Sequence, residues 1–194
     1  MNLKEVLGAL SAILLLFGYI PYIRSVAVGK TKPHAFSWLV WGLLAAIGFT
    51  AQVVEGAGPG SWMVGFEVLA YFTIFALALI KGIRRFDALD WYSLGLAILA
   101  IGLWIVTDEP LIAVILVTIG DFIGFVPTFR KGFAKPHEEH GGPYLFGTIA
   151  SVLALFALAQ YSPTTWLYPA SLVLTNGAFV SMLKMRRRSI LLSA

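Results

Sequence analysis

The sequence predicts an all-α membrane protein with seven transmembrane helices, arranged as two parallel three-helix bundles joined by a linker helix. Three observations carry that expectation. First, the 194 residues are 59% apolar and 12% charged, whereas a soluble domain is about 45–50% apolar and about 25% charged; too little polar surface remains to coat a water-soluble globule. Second, the basic residues fall on alternate connections only. Third, the two ends of the chain repeat the same landmarks in the same order. The chain has no cysteine, which excludes a disulfide scaffold and a cysteine-ligated metal. Seven spans of about 20 residues also leave no length for a separate soluble catalytic domain.

The spans are set by long apolar runs and the breaks between them. The first, 6–23, continues into Tyr19-Ile20-Pro21-Tyr22-Ile23-Arg24 without a polar cleavage region, so it reads as a span and not as a signal peptide. Gly29-Lys30-Thr31-Lys32-Pro33 separates it from the second, 36–54, which ends at Glu55 and Gly56-Ala57-Gly58-Pro59-Gly60. The third, 62–80, stops at Lys81-Gly82-Ile83-Arg84-Arg85, and the fourth, 89–106, at Asp108-Glu109-Pro110. The fifth, 111–129, gives way to the polar stretch 131–143. The sixth, 144–161, meets Ser162-Pro163, and the seventh, 165–183, runs into Lys184-Met185-Arg186-Arg187-Arg188. The His137-Glu138-Glu139-His140 sequence lacks the i, i+4 histidine spacing of a helical zinc site and reads as a solvated loop.

Thirteen of the 14 Lys and Arg residues lie on one side of this layout, and Lys4 stands alone on the other with Glu55, Asp108 and Glu109. The positive-inside rule places the N-terminus outside and the C-terminus in the cytoplasm, in a cell (plasma) membrane. The basic tail then reads as a topology anchor that attracts anionic lipid, and not as a nucleic-acid site.

The repeat is visible in three landmarks. Gly18-Tyr19-Ile20-Pro21-Tyr22-Ile23-Arg24 matches Gly124-Phe125-Val126-Pro127-Thr128-Phe129-Arg130 at an offset of 106. Lys32-Pro33-His34 matches Lys135-Pro136-His137 at 103, and Pro59-Gly60-Ser61-Trp62 matches Pro163-Thr164-Thr165-Trp166 at 104. The chain therefore divides into a three-helix unit at 1–86, a linker helix at 87–107, a second three-helix unit at 108–188 and a tail at 189–194. Three spans end on the side opposite their start, so a fourth must return the chain before the second unit can run in the same direction. Trp91, Tyr92 and Trp104 lie at the two ends of that linker, where interfacial aromatics belong.

With this order, the outside N-terminus and the Pro21 and Pro127 motifs, the chain resembles the SWEET and PQ-loop group of small-solute transporters. Pro127-Thr128-Phe129 is similar to the SWEET form of the motif, and Pro143 stands where the sixth helix of that family carries a hinge proline. Tyr22 and Thr128 replace the glutamine of the Pro-Gln signature, and Phe36-Ser37-Trp38 occupies the place of a second-helix proline. The resemblance implies Pro21, Pro127 and Pro143 as hinge residues. It also makes Asn176 similar to the seventh-helix asparagine that lines the sugar pocket; the 104 offset puts Phe72 at the equivalent place in the first unit. Vitamin precursors stand beside sugars, because nicotinamide riboside transporters share a related fold.

The remaining candidates come from polar residues at membrane depth, where a carboxylate costs about 2.5–3.5 kcal/mol on insertion scales and faces a cavity or a partner. Asp121 lies 11 residues after Pro110, near the midplane at ~1.5 Å per residue, with Val117, Gly124 and Thr128 along the same stripe. Glu67 lies nearer the outer end of the third span, one turn from Tyr71. Gln52 and Trp41 share a face of the second span, and Ser151 and Thr148 lie on the sixth. An aromatic ring beside an amide suits a sugar or nucleoside; Trp41 is the candidate platform, although Trp38 and Trp41 equally suit interfacial anchors.

The expected function is transport of a small polar solute by alternating access through the lipid bilayer, with Asp121, or else Glu67, binding a cationic group or carrying a proton, and uniport otherwise. No cofactor is expected. The rival is a non-transporting receptor or assembly subunit of the same fold. A retinal protein is excluded because Lys184 lies at the end of the seventh span, too far for a mid-membrane Schiff base. Enzymatic activity is not expected, since no nucleophile–base set, carboxylate pair or metal cluster shares a face.

Overall fold

A computed structural model describes residues 2–82, 84, 88–139 and 141–193, apart from the side chains of Leu89, Asp90, Pro127, Glu138 and residues 191–193. The described residues form seven α-helices: α1 (Leu3–Ala27), α2 (Ala35–Val54), α3 (Trp62–Lys81), α4 (Ala88–Thr107), α5 (Pro110–Ala134), α6 (Gly142–Ala157) and α7 (Pro163–Ser193). Short 3-10 turns at Gly58–Ser61 and Pro136–Glu138 precede α3 and α6. Helices α1, α2, α5, α7 and α3 with its preceding turn are long and apolar enough to cross a membrane, while Trp91–Thr107 of α4 and all of α6 are shorter apolar helices. The chain is an integral membrane protein.

Local chemistry fixes the ends. Asn2 and Glu5 cap α1 reciprocally: the Asn2 side chain accepts from the Glu5 amide and the Glu5 carboxylate accepts from the Asn2 amide, both at 2.9 Å. Pro110, Pro143 and Pro163 each open a helix, where a missing N–H costs nothing. Gly56, at φ 71°, turns the chain out of α2 through the left-handed region that glycine enters without a Cβ penalty.

α1 and α5 run on to Ala27 and Ala134, past their expected ends at 23 and 129, and α6 and α7 differ from expectation as well. The sixth span was expected to reach Tyr161, yet α6 ends at Ala157. Its last turn finds partners outside the helix: the Tyr161 hydroxyl donates to the Leu155 carbonyl at 2.6 Å, and the Ala159 amide donates to the Ala57 carbonyl at 2.9 Å. The seventh helix instead runs on through 189–193, the stretch expected as a tail, because no Gly or Pro follows Gly177 to stop it. Ala194 and the expected boundary at 86–87 lie outside the described residues, as does His140.

The helices pack in a connected ring of pairs. α1 lies against α6 and α3, α2 against α3 and α5, α7 against α5 and α6, and α4 against α5 and α2. Leu15, Leu44, Val117, Ala150 and Tyr168 belong to the main core, and a second cluster of Phe125, Phe129, Tyr144 and Phe179 lies between α5, α6 and α7. Small residues permit close approach: a Cβ on Gly18 would stand 3.1 Å from Phe146 of α6, and one on Gly124 would stand 2.7 Å from the Trp41 indole nitrogen. Phe17, Leu69, Ile80, Ile105, Phe156 and Leu174 project outward, fully compatible with lipid.

Candidate functional site

A cavity of about 730 Å³ runs between the helices. Its deep wall holds Asp121 and Gly124 of α5, Val40 and Trp41 of α2, Tyr71 of α3 and Asn176 of α7. It reaches the surface among Lys30, Lys32 and Lys131, which are exposed. It therefore opens at the end of the bundle that carries the basic loops.

Aromatic rings dominate one side. Trp38 lies at the centre, with ring centroids 5.3 Å from Trp41, 5.3 Å from Tyr71, 5.4 Å from Tyr22 and 6.4 Å from Tyr19, mostly edge-on. Such arrangements place the positive edge of one ring on the negative face of the next. The phenols form a chain: Tyr19 donates to Tyr71 at 3.2 Å, and Tyr71 donates to Glu67 Oε1 at 2.7 Å. Glu67 is 3% exposed, and its Oε2 is buried without a partner among the described residues. It sits behind Tyr71, linked to the cavity wall by these two hydroxyls.

Asp121 is 7% exposed and lines the cavity, and among the described residues nothing donates a hydrogen bond or an ion pair to it. Ordinary packing does not account for a carboxylate in that position, because a buried charge without a partner is expensive. Asn176 is half-buried with its amide nitrogen against Gly147, where a Cβ would stand 3.1 Å away. No described residue hydrogen-bonds its side chain. At the mouth, Lys131 pairs with Glu139 at 2.7 Å, and Arg187 ties α7 to the same loop by donating to the Pro136 carbonyl at 2.9 Å and the Glu139 carbonyl at 2.5 Å.

The opposite end of the bundle is sealed. The Ala159 amide donates to the Ala57 carbonyl at 2.9 Å, Gln52 Nε2 donates to the Thr165 carbonyl at 2.9 Å, and Lys4 Nζ donates to the Ala159 carbonyl at 3.4 Å. Gly60 is pressed against Leu158, whose Cδ2 would lie 2.5 Å from a Cβ there, and Gly8 against the Pro59 carbonyl at the same distance.

The sequence-selected residues therefore separate into two groups. Asp121, Trp41, Tyr71, Asn176 and Pro143 share the cavity wall, with Glu67 one hydrogen bond behind. Gln52 serves the sealed end instead, and Ser151 is buried against Met63 Sδ at 3.5 Å. Pro21 lies inside α1 with its ring exposed, Pro143 lies in the first turn of α6, and Pro127 lies within α5 with its side chain outside the described residues. Sequence reasoning did not select Tyr19 and Trp38 for the wall. Their signal was position: Tyr19 sits inside the repeated motif, and Trp38 lies one turn before Trp41. No protein-family model matches the chain, and no curated protein or solved structure is significantly similar to it.

Proposed function

We propose that this protein carries a small polar solute across the membrane by alternating access, on a SWEET-like frame of two parallel three-helix units joined by α4. The observation that carries the reading is a polar-floored cavity open at the basic end and closed at the other by hydrogen bonds and glycine contacts. With the basic loops in the cytoplasm, the state described is open inward.

Pairs of equivalent contacts support the duplicated frame. Gly18 of α1 receives Phe146 of α6, and Gly124 of α5 receives Trp41 of α2; the glycines are 106 positions apart and the aromatics 105. Gly42 of α2 receives Phe72 of α3 at 3.2 Å, and Gly147 of α6 receives Asn176 of α7 at 3.1 Å, again with offsets of 105 and 104. The helix pairs α1–α3, α2–α3 and α1–α6 likewise have the counterparts α5–α7, α6–α7 and α2–α5. A twofold relation along the membrane normal gives that pattern.

Uptake into liposomes tests the function. Sugars, nucleosides, amino acids and amines are supplied outside vesicles containing the purified protein, with and without a pH gradient. Saturable uptake above protein-free vesicles is expected for one solute class. A dependence on the gradient that disappears in Glu67→Gln identifies a coupled proton. Solute binding with no flux in any condition refutes transport and favours a receptor of the same fold.

A further inference from the structure

The charges around the cavity are unevenly placed. Lys30, Lys32 and Lys131 stand in water at the mouth, and Lys131 is already paired with Glu139. At depth the titratable groups are acids: Asp121 is on the wall, and Glu67 lies behind Tyr71, which donates to it. Among the described residues no Lys or Arg reaches this layer to balance either carboxylate. Tyr19 and Tyr71 line the same cavity as Asp121. A phenol can donate a hydrogen bond but supplies no positive charge.

Around the same space stand Tyr19, Trp38, Trp41 and Tyr71, with neighbouring centroids 5.3 to 6.4 Å apart. The faces of indole and phenol rings are negative, and rings grouped around a pocket are the recognised cradle of alkylated ammonium groups. A neutral solute would leave Asp121 without a counter-charge. An anionic head at this depth would meet Asp121, with Glu67 behind Tyr71, and no described Lys or Arg. We propose that the transported solute is an organic cation whose ammonium group docks against Asp121 inside the box of Tyr19, Trp38, Trp41 and Tyr71. The rest of the solute then points toward Asn176, whose amide both donates and accepts. This assignment rests on the transport reading only for the word transported; the binding site itself does not require flux.

The experiment compares choline with its neutral carbon isostere, 3,3-dimethylbutan-1-ol, on the purified full-length protein in detergent micelles. Binding is read from intrinsic tryptophan fluorescence, since Trp38 and Trp41 line the site, and confirmed by equilibrium dialysis with radiolabelled choline. Choline is expected to bind at least tenfold more tightly than the isostere. Asp121→Asn is expected to remove that preference, and Trp41→Leu to weaken choline by about tenfold. Equal affinity for the two compounds, or no choline binding, overturns the proposal. So does a preference that survives in a natively melting Asp121→Asn protein. The wild-type comparison stands alone if the variant fails to fold. Liposome uptake separates the two claims: choline bound but not carried leaves this assignment intact and removes transport. Uptake of a neutral solute that choline does not compete with removes the assignment and leaves transport.

Discussion

Asp121 shows how depth and rotation differ in what a sequence can say. Counting from Pro110 gives its height in the helix to within a turn, and its charge makes an inward direction the cheap one. Trp41, selected as a ring for stacking, Tyr71, one turn from Glu67, and Asn176, selected by resemblance, line one cavity with Asp121. Gln52 and Ser151 were not separable from them, because an amide or hydroxyl at membrane depth suits a partner on a neighbouring helix, here the Thr165 carbonyl and the Met63 sulfur, as well as a ligand. An unpartnered buried carboxylate predicts a conflict between stability and activity. Asp121→Asn is expected to keep or raise the melting temperature in detergent while lowering solute uptake at least tenfold. Tyr71→Phe should behave oppositely. It leaves Glu67 Oε1 as well as Oε2 without a donor, so it is expected to destabilise by about 1–3 kcal/mol, read as a lower melting temperature. Tyr19→Phe removes the longer 3.2 Å bond and should cost less.

At the level of elements, hydropathy found every helix, and the errors lie at the ends. α6 stops at Ala157 because Leu158 is drawn against Gly60 and Ala159 bonds to Ala57. Those partners are about 100 residues away, and no local window contains them. A Cβ on Gly60 would meet the Leu158 Cα at 2.8 Å and the Ala154 carbonyl oxygen at 2.9 Å, which are backbone atoms that cannot swing aside. Gly60→Ala is therefore expected to destabilise the bundle by about 1–3 kcal/mol. Gly95 in α4 meets nothing within 4 Å. Gly95→Ala should be neutral or stabilising by up to about 1 kcal/mol through helix propensity alone. Paired thermal melts of the two variants check both.

For the whole molecule, composition and loop charge were sufficient to identify a helical membrane protein, since both are sums over many residues. How the two halves face each other depends on contacts such as Gly18 with Phe146 and Gly124 with Trp41, which become readable only in three dimensions. Alternating access makes a strong prediction at this scale. The Ala159 amide donates to the Ala57 carbonyl at 2.9 Å, so a cysteine pair at these two positions is the crosslink chosen to hold the seal shut. The chain has no cysteine of its own, and the double variant Ala57→Cys/Ala159→Cys is free of competing thiols. Oxidation is expected to stop uptake and a reductant to restore it, while ligand binding from the open end persists. Full uptake in the oxidised protein would argue against a moving seal.

The acceptors that close that seal are main-chain carbonyls, at Ala57, Thr165 and Ala159. Substitution at those three positions leaves the carbonyls in place, so this part of the latch tolerates sequence drift. Each bond contributes a net of about 0.5–1.5 kcal/mol, a few multiples of thermal energy in all. A clasp that light lies within reach of thermal motion, as the proposed alternating access requires.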